Sequence, residues 1–185
     1  VTLFENDLIT QEELDQIKKE CKEQVDTAAD EAETFSQPDP GKLFHFLYTP
    51  EADSTLKSDE PESESADKVV MVDAINHALK EEMLLNDSLY IFGQDVADGK
   101  GGVFTATSGI STQFGKDRCF NAPLAESSIV GVSIGMAVRG LKPVVEIQFG
   151  DYIWTAMMQI RNELSTMRWR SNNNWSASVV IRVPV

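Results

Sequence analysis

A chain of 185 residues and 20.5 kDa has room for one domain of ordinary size and a smaller appendage, which excludes two large domains. Its 42% hydrophobic content suits a globular protein, while a formal charge of −14 argues against nucleic acid as a partner. The acidity is local, because residues 1–68 hold 6 basic and 19 acidic side chains whereas residues 69–185 hold 10 and 11.

The start, Val1-Thr2-Leu3-Phe4-Glu5, has neither an initiator Met nor the basic-then-apolar pattern of a secretory signal, so the chain reads as cut from something longer. Thr10-Gln11-Glu12-Glu13-Leu14 predicts a capping-box helix start. From there Leu14, Ile17, Cys21, Val25, Ala28 and Ala32 recur at helical spacing to about Phe35. Their apolar stripe is narrow, so the helix is expected to dock on a surface outside its own segment. Gln37-Pro38-Asp39-Pro40-Gly41 breaks the pattern, and Leu43-Phe44-His45-Phe46-Leu47-Tyr48 adds a short aromatic anchor. Residues 49–68, acidic and nearly free of apolar side chains, predict a flexible tether that limited proteolysis should cut first.

Residues 69–185 alternate helix and strand signals. Val70, Val72, Ala74, Ile75, Ala78, Leu79 and Met83 predict a helix over 69–85, and Leu89-Tyr90-Ile91-Phe92 a buried strand. Residues 97–117 read as a long Gly-rich loop, with Gly99-Lys100-Gly101-Gly102 a mobile surface stretch within it, leading to a second strand near Cys119-Phe120-Asn121. A helix from Ser127 to Arg139, a strand from Pro143 to Phe149, a helix over 152–169 and a strand over 178–183 follow. This order predicts an α/β layer fold with a parallel sheet flanked by helices. The last strand stops at Val185 as if severed inside a domain. No run of about 18 apolar residues predicts a membrane span.

Most motif chemistry can be set aside. Gly109 to Lys116 suggests a phosphate loop, but five residues separate its glycines instead of four, and Asp117 stands where Ser or Thr should ligate magnesium. Gly99-Lys100-Gly101-Gly102 lacks the dinucleotide fingerprint. His45 and His77 have no partner at metal-ligand spacing, so no metal set is read here. Cys21 and Cys119 lie in segments of different character, which predicts neither a disulfide framework nor a cluster and points to a reducing compartment. What remains is Glu126, where a strand end turns into a helix, the place at which open α/β sheets bind ligands. Two readings stay open from spacing alone: a ligand-facing acid, or a helix cap made by Glu126 with Ser127 and Ser128 that also offsets the helix dipole.

The stretch Phe120 to Gly140, with Asn121-Ala122-Pro123-Leu124-Ala125-Glu126 leading into Ile129-Val130-Gly131 and Ile134-Gly135-Met136-Ala137, resembles the beta subunit of thiamine-diphosphate-dependent 2-oxoacid dehydrogenases. Glu146-Ile147-Gln148-Phe149-Gly150-Asp151-Tyr152-Ile153, Gln159-Ile160, Asn162-Glu163 and Trp169-Arg170-Ser171 extend the likeness over 69–185. Within the family it is most similar to the branched-chain (2-oxoisovalerate) type. Asn6 to Tyr48, with Gln37-Pro38-Asp39-Pro40, Leu43-Phe44 and Leu47-Tyr48, resembles the C-terminal tail of that family's alpha subunit. The resemblance therefore implies the junction of an alpha-beta fusion: tail 1–48, tether 49–68, and a truncated pyrimidine-binding (transketolase-like) domain 69–185.

The resemblance also implies a function and a site. The family's cofactor-activating glutamate falls on Glu126, whose carboxyl group would hydrogen-bond N1′ of the aminopyrimidine and favour the imino form that deprotonates thiazolium C2. Tyr152 falls on the aromatic that packs on the pyrimidine, and Leu124 and Gln148 on positions lining the same pocket. Thiamine diphosphate is the implied cofactor, with magnesium bound mainly by the alpha part outside this chain. A cytoplasmic enzyme is implied, oxidatively decarboxylating a 2-oxoacid and passing the acyl group to a lipoyl-bearing acyltransferase. Its assembly would be a homodimer of the fusion, alpha2beta2-like, with Gly131, Gly135 and Gly140 allowing close helix contact between subunits. The fragment alone is expected to be inactive. The alternatives are a pyruvate-specific enzyme of the family and a non-catalytic assembly module that keeps the fold.

Overall fold

The computed structural model describes residues 8–48 and 68–185; the tether expected at 49–68 lies almost wholly outside the described residues. The chain divides into two compact units, Val1–Phe44 and His45–Val185. In the first, helix α1 spans Gln11–Glu33. The predicted capping box is present: Glu13 N–H donates to Thr10 Oγ1 at 3.2 Å, and Thr10 N–H donates back to Glu13 Oε2 at 2.8 Å. That returned backbone bond holds the Glu13 carboxyl below its usual value. No residue of α1 is buried, so its stripe finds no cover within its own segment. A 3₁₀ turn at Pro40–Lys42 follows, capped by Asp39, whose Oδ1 accepts from Gly41 N–H at 2.8 Å. The aromatic anchor is exposed, with Phe44 at 74% and Tyr48 at 84%.

The second unit is built on a sheet of order β2-β1-β3-β4, with every pairing parallel. Its strands are β1 (Leu89–Gly93), β2 (Cys119–Asn121), β3 (Lys142–Glu146) and β4 (Val180–Arg182). Helix α2 (Met71–Leu85) precedes β1, α3 (Ile110–Phe114) lies between β1 and β2, and α4 (Glu126–Val138) carries the chain from β2 to β3. Side chains alternate across β1, as the pleat requires. Ile91 joins Met83, Leu89, Val96 and Ile110 on one face, while Phe92 joins Val145 and Ile129 on the other. Phe92 stacks on its register partner Phe120, ring centroids 5.1 Å apart. α4 buries Ile129, Val130, Ser133, Ile134 and Ala137, the spacing of a helix laid flat on a sheet.

Two expected elements differ. The stretch 97–117 is no loose loop: it holds a 3₁₀ turn at Val103–Thr105 and the helix α3, and Ala106, Thr107 and Ile110 are buried. Thr107 Oγ1 donates to Val96 O at 2.8 Å, and Asn76 of α2 donates to Ala106 O at 2.9 Å and Ser108 O at 3.1 Å. The helix expected over 152–169 is broken into a 3₁₀ turn (Gly150–Ala156), a π turn (Gln159–Leu164) and the short helix α5 (Met167–Arg170). Hydroxyls explain the breaks. Ser165 donates to Arg161 O at 2.6 Å and Thr166 to Asn162 O at 2.5 Å, while Ser127 of α4 donates to Thr155 O. Each adds a second donor to a carbonyl of this stretch, and such bonds bend helices.

The cysteines test this packing. Cys21 is exposed and Cys119 fully buried on β2. Burial, with the Asp98 charge adding to it, pushes the Cys119 thiol up to about 11 from 9.0. The folded state thus keeps a proton that the unfolded chain releases from pH 9, so stability falls as pH rises between 9 and 11 and is unaffected below that window. At pH 8 a thiol reagent should label one cysteine promptly and the second only in denaturant. Prompt labelling of both would contradict the buried strand.

Candidate functional site at the carboxyl edge of the sheet

A parallel sheet sends all its strand ends, and the loops after them, to one edge. From β2, Ala122 N–H donates to Gly93 O at 2.8 Å, which fixes how the chain leaves the sheet before Leu124 and Glu126. From β3, Ile147 N–H donates to Arg182 O and Gly150 N–H to Pro184 O, both at 3.0 Å. Gln148, Phe149 and Tyr152 are therefore held alongside the exit of β4.

Glu126 is the first residue of α4 and is half-buried. The cap reading fails: the N-cap is Ala125, and no side chain caps the helix. Ser127 is turned to Thr155 O, and the Glu126 Oε2 accepts from Thr155 Oγ1 at 3.1 Å. The same hydroxyl lies 2.9 Å from Tyr152 O, so its one proton has two acceptors. Thr155, which the sequence reading missed, ties Glu126 to the turn that carries Tyr152. The placement of the acid on the first turn of α4 also suits the helix dipole.

Tyr152 is 47% exposed and stands edge-on to Phe149, centroids 5.9 Å apart at 88°. Leu124 is 72% exposed, and Gln148 is half-buried. The structure thus joins Glu126 to the Tyr152 turn through Thr155, and leaves Leu124 and the Tyr152 ring open to a ligand or a partner surface. A half-buried carboxylate on α4 and an exposed aromatic on the turn that Thr155 ties to it are groups of the kind that hold a flat heterocycle with a ring nitrogen. Among the described residues, no three His, Cys, Asp or Glu side chains gather as a metal set.

Behind this edge lies a second pair that sequence reasoning gave no role. Glu146, 2% exposed at the end of β3, accepts from Val103 N–H at 2.8 Å and from Arg182 Nη1. Burial pushes its carboxyl above the usual range, against the lowering effects of the Val103 bond and Arg182. An acid in an otherwise apolar strand run was the available signal, since such a charge must find a partner. The α4 glycines divide. Gly131 has the Gln159 side chain within ordinary contact, Gly140 ends the helix with φ +89, and Gly135 faces open space.

An acid on the first turn after β2 and an aromatic after β3, at the carboxyl edge of an all-parallel sheet, make this an α/β domain with its candidate site at that edge. Residues 67–184 match the transketolase pyrimidine-binding domain family, and the chain belongs to that family. It is similar to the 2-oxoisovalerate dehydrogenase subunit beta of Bacillus subtilis (strain 168), 50% identical over 113 residues, or 61% of this chain and 34% of that one. It is also similar to the 3-methyl-2-oxobutanoate dehydrogenase subunit beta of Mycobacterium tuberculosis (strain ATCC 25618 / H37Rv), 42% identical over 122 residues, 66% of this chain and 35% of that one. The pyruvate dehydrogenase E1 component subunit beta of Bacillus subtilis is 40% identical over 117 residues, 63% and 36% respectively. The chain spans about a third of the length of the relatives it matches.

Proposed function

We propose that this chain supplies the pyrimidine-holding part of the decarboxylating component of a 2-oxoacid dehydrogenase, acting on a branched-chain 2-oxoacid. Thiamine diphosphate, when bound, supplies a carbon nucleophile and an electron sink for loss of carbon dioxide. Glu126 would hold a proton between its carboxyl group and a pyrimidine ring nitrogen, and Thr155 fixes the carboxyl group in place for that bond. Tyr152 would give the pyrimidine a face to pack on, with Leu124 and Gln148 at its rim. The observation that carries this reading is that the Glu126 carboxylate, free of any capping duty, is bonded to Thr155 at the sheet's ligand edge.

The same reading assigns the rest of the assembly. Residues 1–48, outside the matched range, would be the tail of an alpha-like part joined through 49–68 to the beta part. Magnesium and the diphosphate would be held mainly by that alpha-like part. The enzyme would be cytoplasmic, a homodimer of the fusion, and would hand its acyl group to a lipoyl-bearing acyltransferase. Among the described residues no helix is long and apolar enough to cross a membrane. Gly135, with open space before it, supports a helix contact from another subunit.

The branched-chain assignment leans on the 50% identity to the 2-oxoisovalerate relative against 40% for the pyruvate one. Assayed with both acids, the full-length enzyme should show a higher kcat/KM for 2-oxoisovalerate by about tenfold or more, the scale set by two extra methyl groups in an apolar pocket. A preference for pyruvate would overturn the substrate and leave the reaction class standing.

A further inference from the structure

Helix α1 carries nine Asp or Glu against three Lys over Gln11–Glu33, and these charges are unevenly placed. At about 100° per residue, Leu14, Ile17, Cys21, Val25, Ala28 and Ala32 fall within a sector of roughly 80°. Lys18 and Lys22 border one side of that sector. Both are already paired, Lys18 with Asp15 at 3.4 Å and Lys22 with Asp26 at 2.5 Å, while Lys19 reaches Glu23 at 4.0 Å. Glu13, Glu20 and Glu31 border the other side, and among the described residues no cation pairs with any of them.

The acid edge is left unbalanced within its own unit. The last turn carries Asp30, Glu31 and Glu33 and no basic residue, so negative charge meets the negative end of the helix dipole. The stripe beside it is equally uncovered, with Ile17 47% and Val25 67% exposed. Shallow hollows of about 680 and 460 Å³ run along this edge, the first lined by Ile9, Glu13 and Ile17, the second by Ala28 and Glu31, and both by Glu20. A second copy of α1 is a poor cover, because a seven-residue seam through Leu14, Ile17 and Cys21 would go on to bury Gln24 and Glu31. Nor do the cavities of the second unit offer a row of cations. Each of three has one, with an acid beside it: Arg170 bridged to Glu163, Lys142 next to Glu82, and Arg182 held by Glu146.

We propose that α1 docks, stripe down, in an apolar groove of the full-length protein outside these 185 residues, with basic side chains along the one rim that faces Glu13, Glu20 and Glu31. From Glu13 to Glu31 the edge runs about 27 Å at 1.5 Å per residue, so the rim presents its Lys or Arg over that length. Burial of the stripe supplies the affinity, and the charged rim fixes which way round the helix lies. The opposite edge needs no such partner, since its lysines already have theirs. This goes beyond the decarboxylase reading and does not depend on it.

The test is amide hydrogen exchange over 14–32 in the full-length protein, at low salt and at about 0.5 M salt. The segment should be protected at low salt, and salt should raise its exchange severalfold by screening the rim. Cys21, open in the 185-residue chain, should label slowly in the full-length protein. Glu20→Lys with Glu31→Lys should raise exchange by about tenfold or more, whereas Glu23→Lys with Asp30→Lys, the same change of charge on the face away from the stripe, should stay within about twofold of wild type. Val25→Asp, which spoils the stripe and spares the acid edge, should match the first pair. Exchange in wild type close to that of an unprotected chain overturns the docking. Equal effects of the two charge pairs, or no response to salt, overturn the basic rim. Ready formation of a Cys21–Cys21 disulfide between copies puts α1 against α1 and overturns the proposal, as does protection that appears only with vesicles of phosphatidylcholine and phosphatidylglycerol. Failure of the full-length protein to turn over a 2-oxoacid would sink the decarboxylase reading and leave this result standing.

Discussion

Glu126→Gln in the full-length protein should lower 2-oxoacid decarboxylation by at least about a hundredfold, the scale of a lost general acid or base, while the protein keeps its fold. The amide is the same size and still offers an oxygen to the Thr155 hydroxyl, 3.1 Å away. Its N–H groups can donate a hydrogen bond but are far too weakly acidic to pass a proton to a pyrimidine nitrogen. Stability should change little, because α4 takes no side-chain cap from this residue and stands to lose only the dipole term, about 0.3–1 kcal/mol at an exposed terminus. Kinetics and melting temperature measured on one preparation separate the two roles. Turnover within about tenfold of wild type with normal melting would reduce Glu126 to a surface acid of the first turn.

Much of this site was readable before the fold was known. Glu126 stood out because a Pro-Leu-Ala-Glu stretch after a strand opens a helix, and the helix and both strands around it lie within a few residues of their expected places. Periodicity sees side chains that face a core, so α2, β1, β2 and α4 were legible. It does not see hydroxyl-to-carbonyl bonds, which is why the stretch 152–169 read as one helix and Thr155 went unnoticed. Nor does it see long-range pairing. Glycines at 99, 101 and 102 suggested looseness, but Gly102 is there to admit a carboxylate that arrives from 44 residues further along the chain, and the loop it belongs to is partly buried. Composition marks the acidic first third as a distinct stretch, whereas the compact units divide between Phe44 and His45, and it carries no information on what covers α1.

Gly93→Ala should be the most damaging single-methyl change in the sheet. Gly93 is the last residue of the central strand, paired with Glu146 in register and buried. A Cβ built on it would lie 2.5 Å from Glu146 O and 3.1 Å from Glu146 N, and both are backbone atoms of a hydrogen-bonded neighbour that cannot swing aside. Relief requires β1 and β3 to part at their ligand edge. That would also disturb the Gly93 carbonyl, which holds Ala122 N–H on the way to Glu126, and the Glu146 carboxylate under Gly102. Overpacking of this kind costs roughly 1–3 kcal/mol and more where backbone must move, against at most about 1 kcal/mol gained by stiffening the unfolded chain. We expect a loss of about 3 kcal/mol or more, on the evidence of urea midpoints for the second unit in the full protein. Equal midpoints for Gly93→Ala and wild type would mean that β1 and β3 do not meet in this register, and the placement of Glu126 beside Tyr152 would lose its foundation.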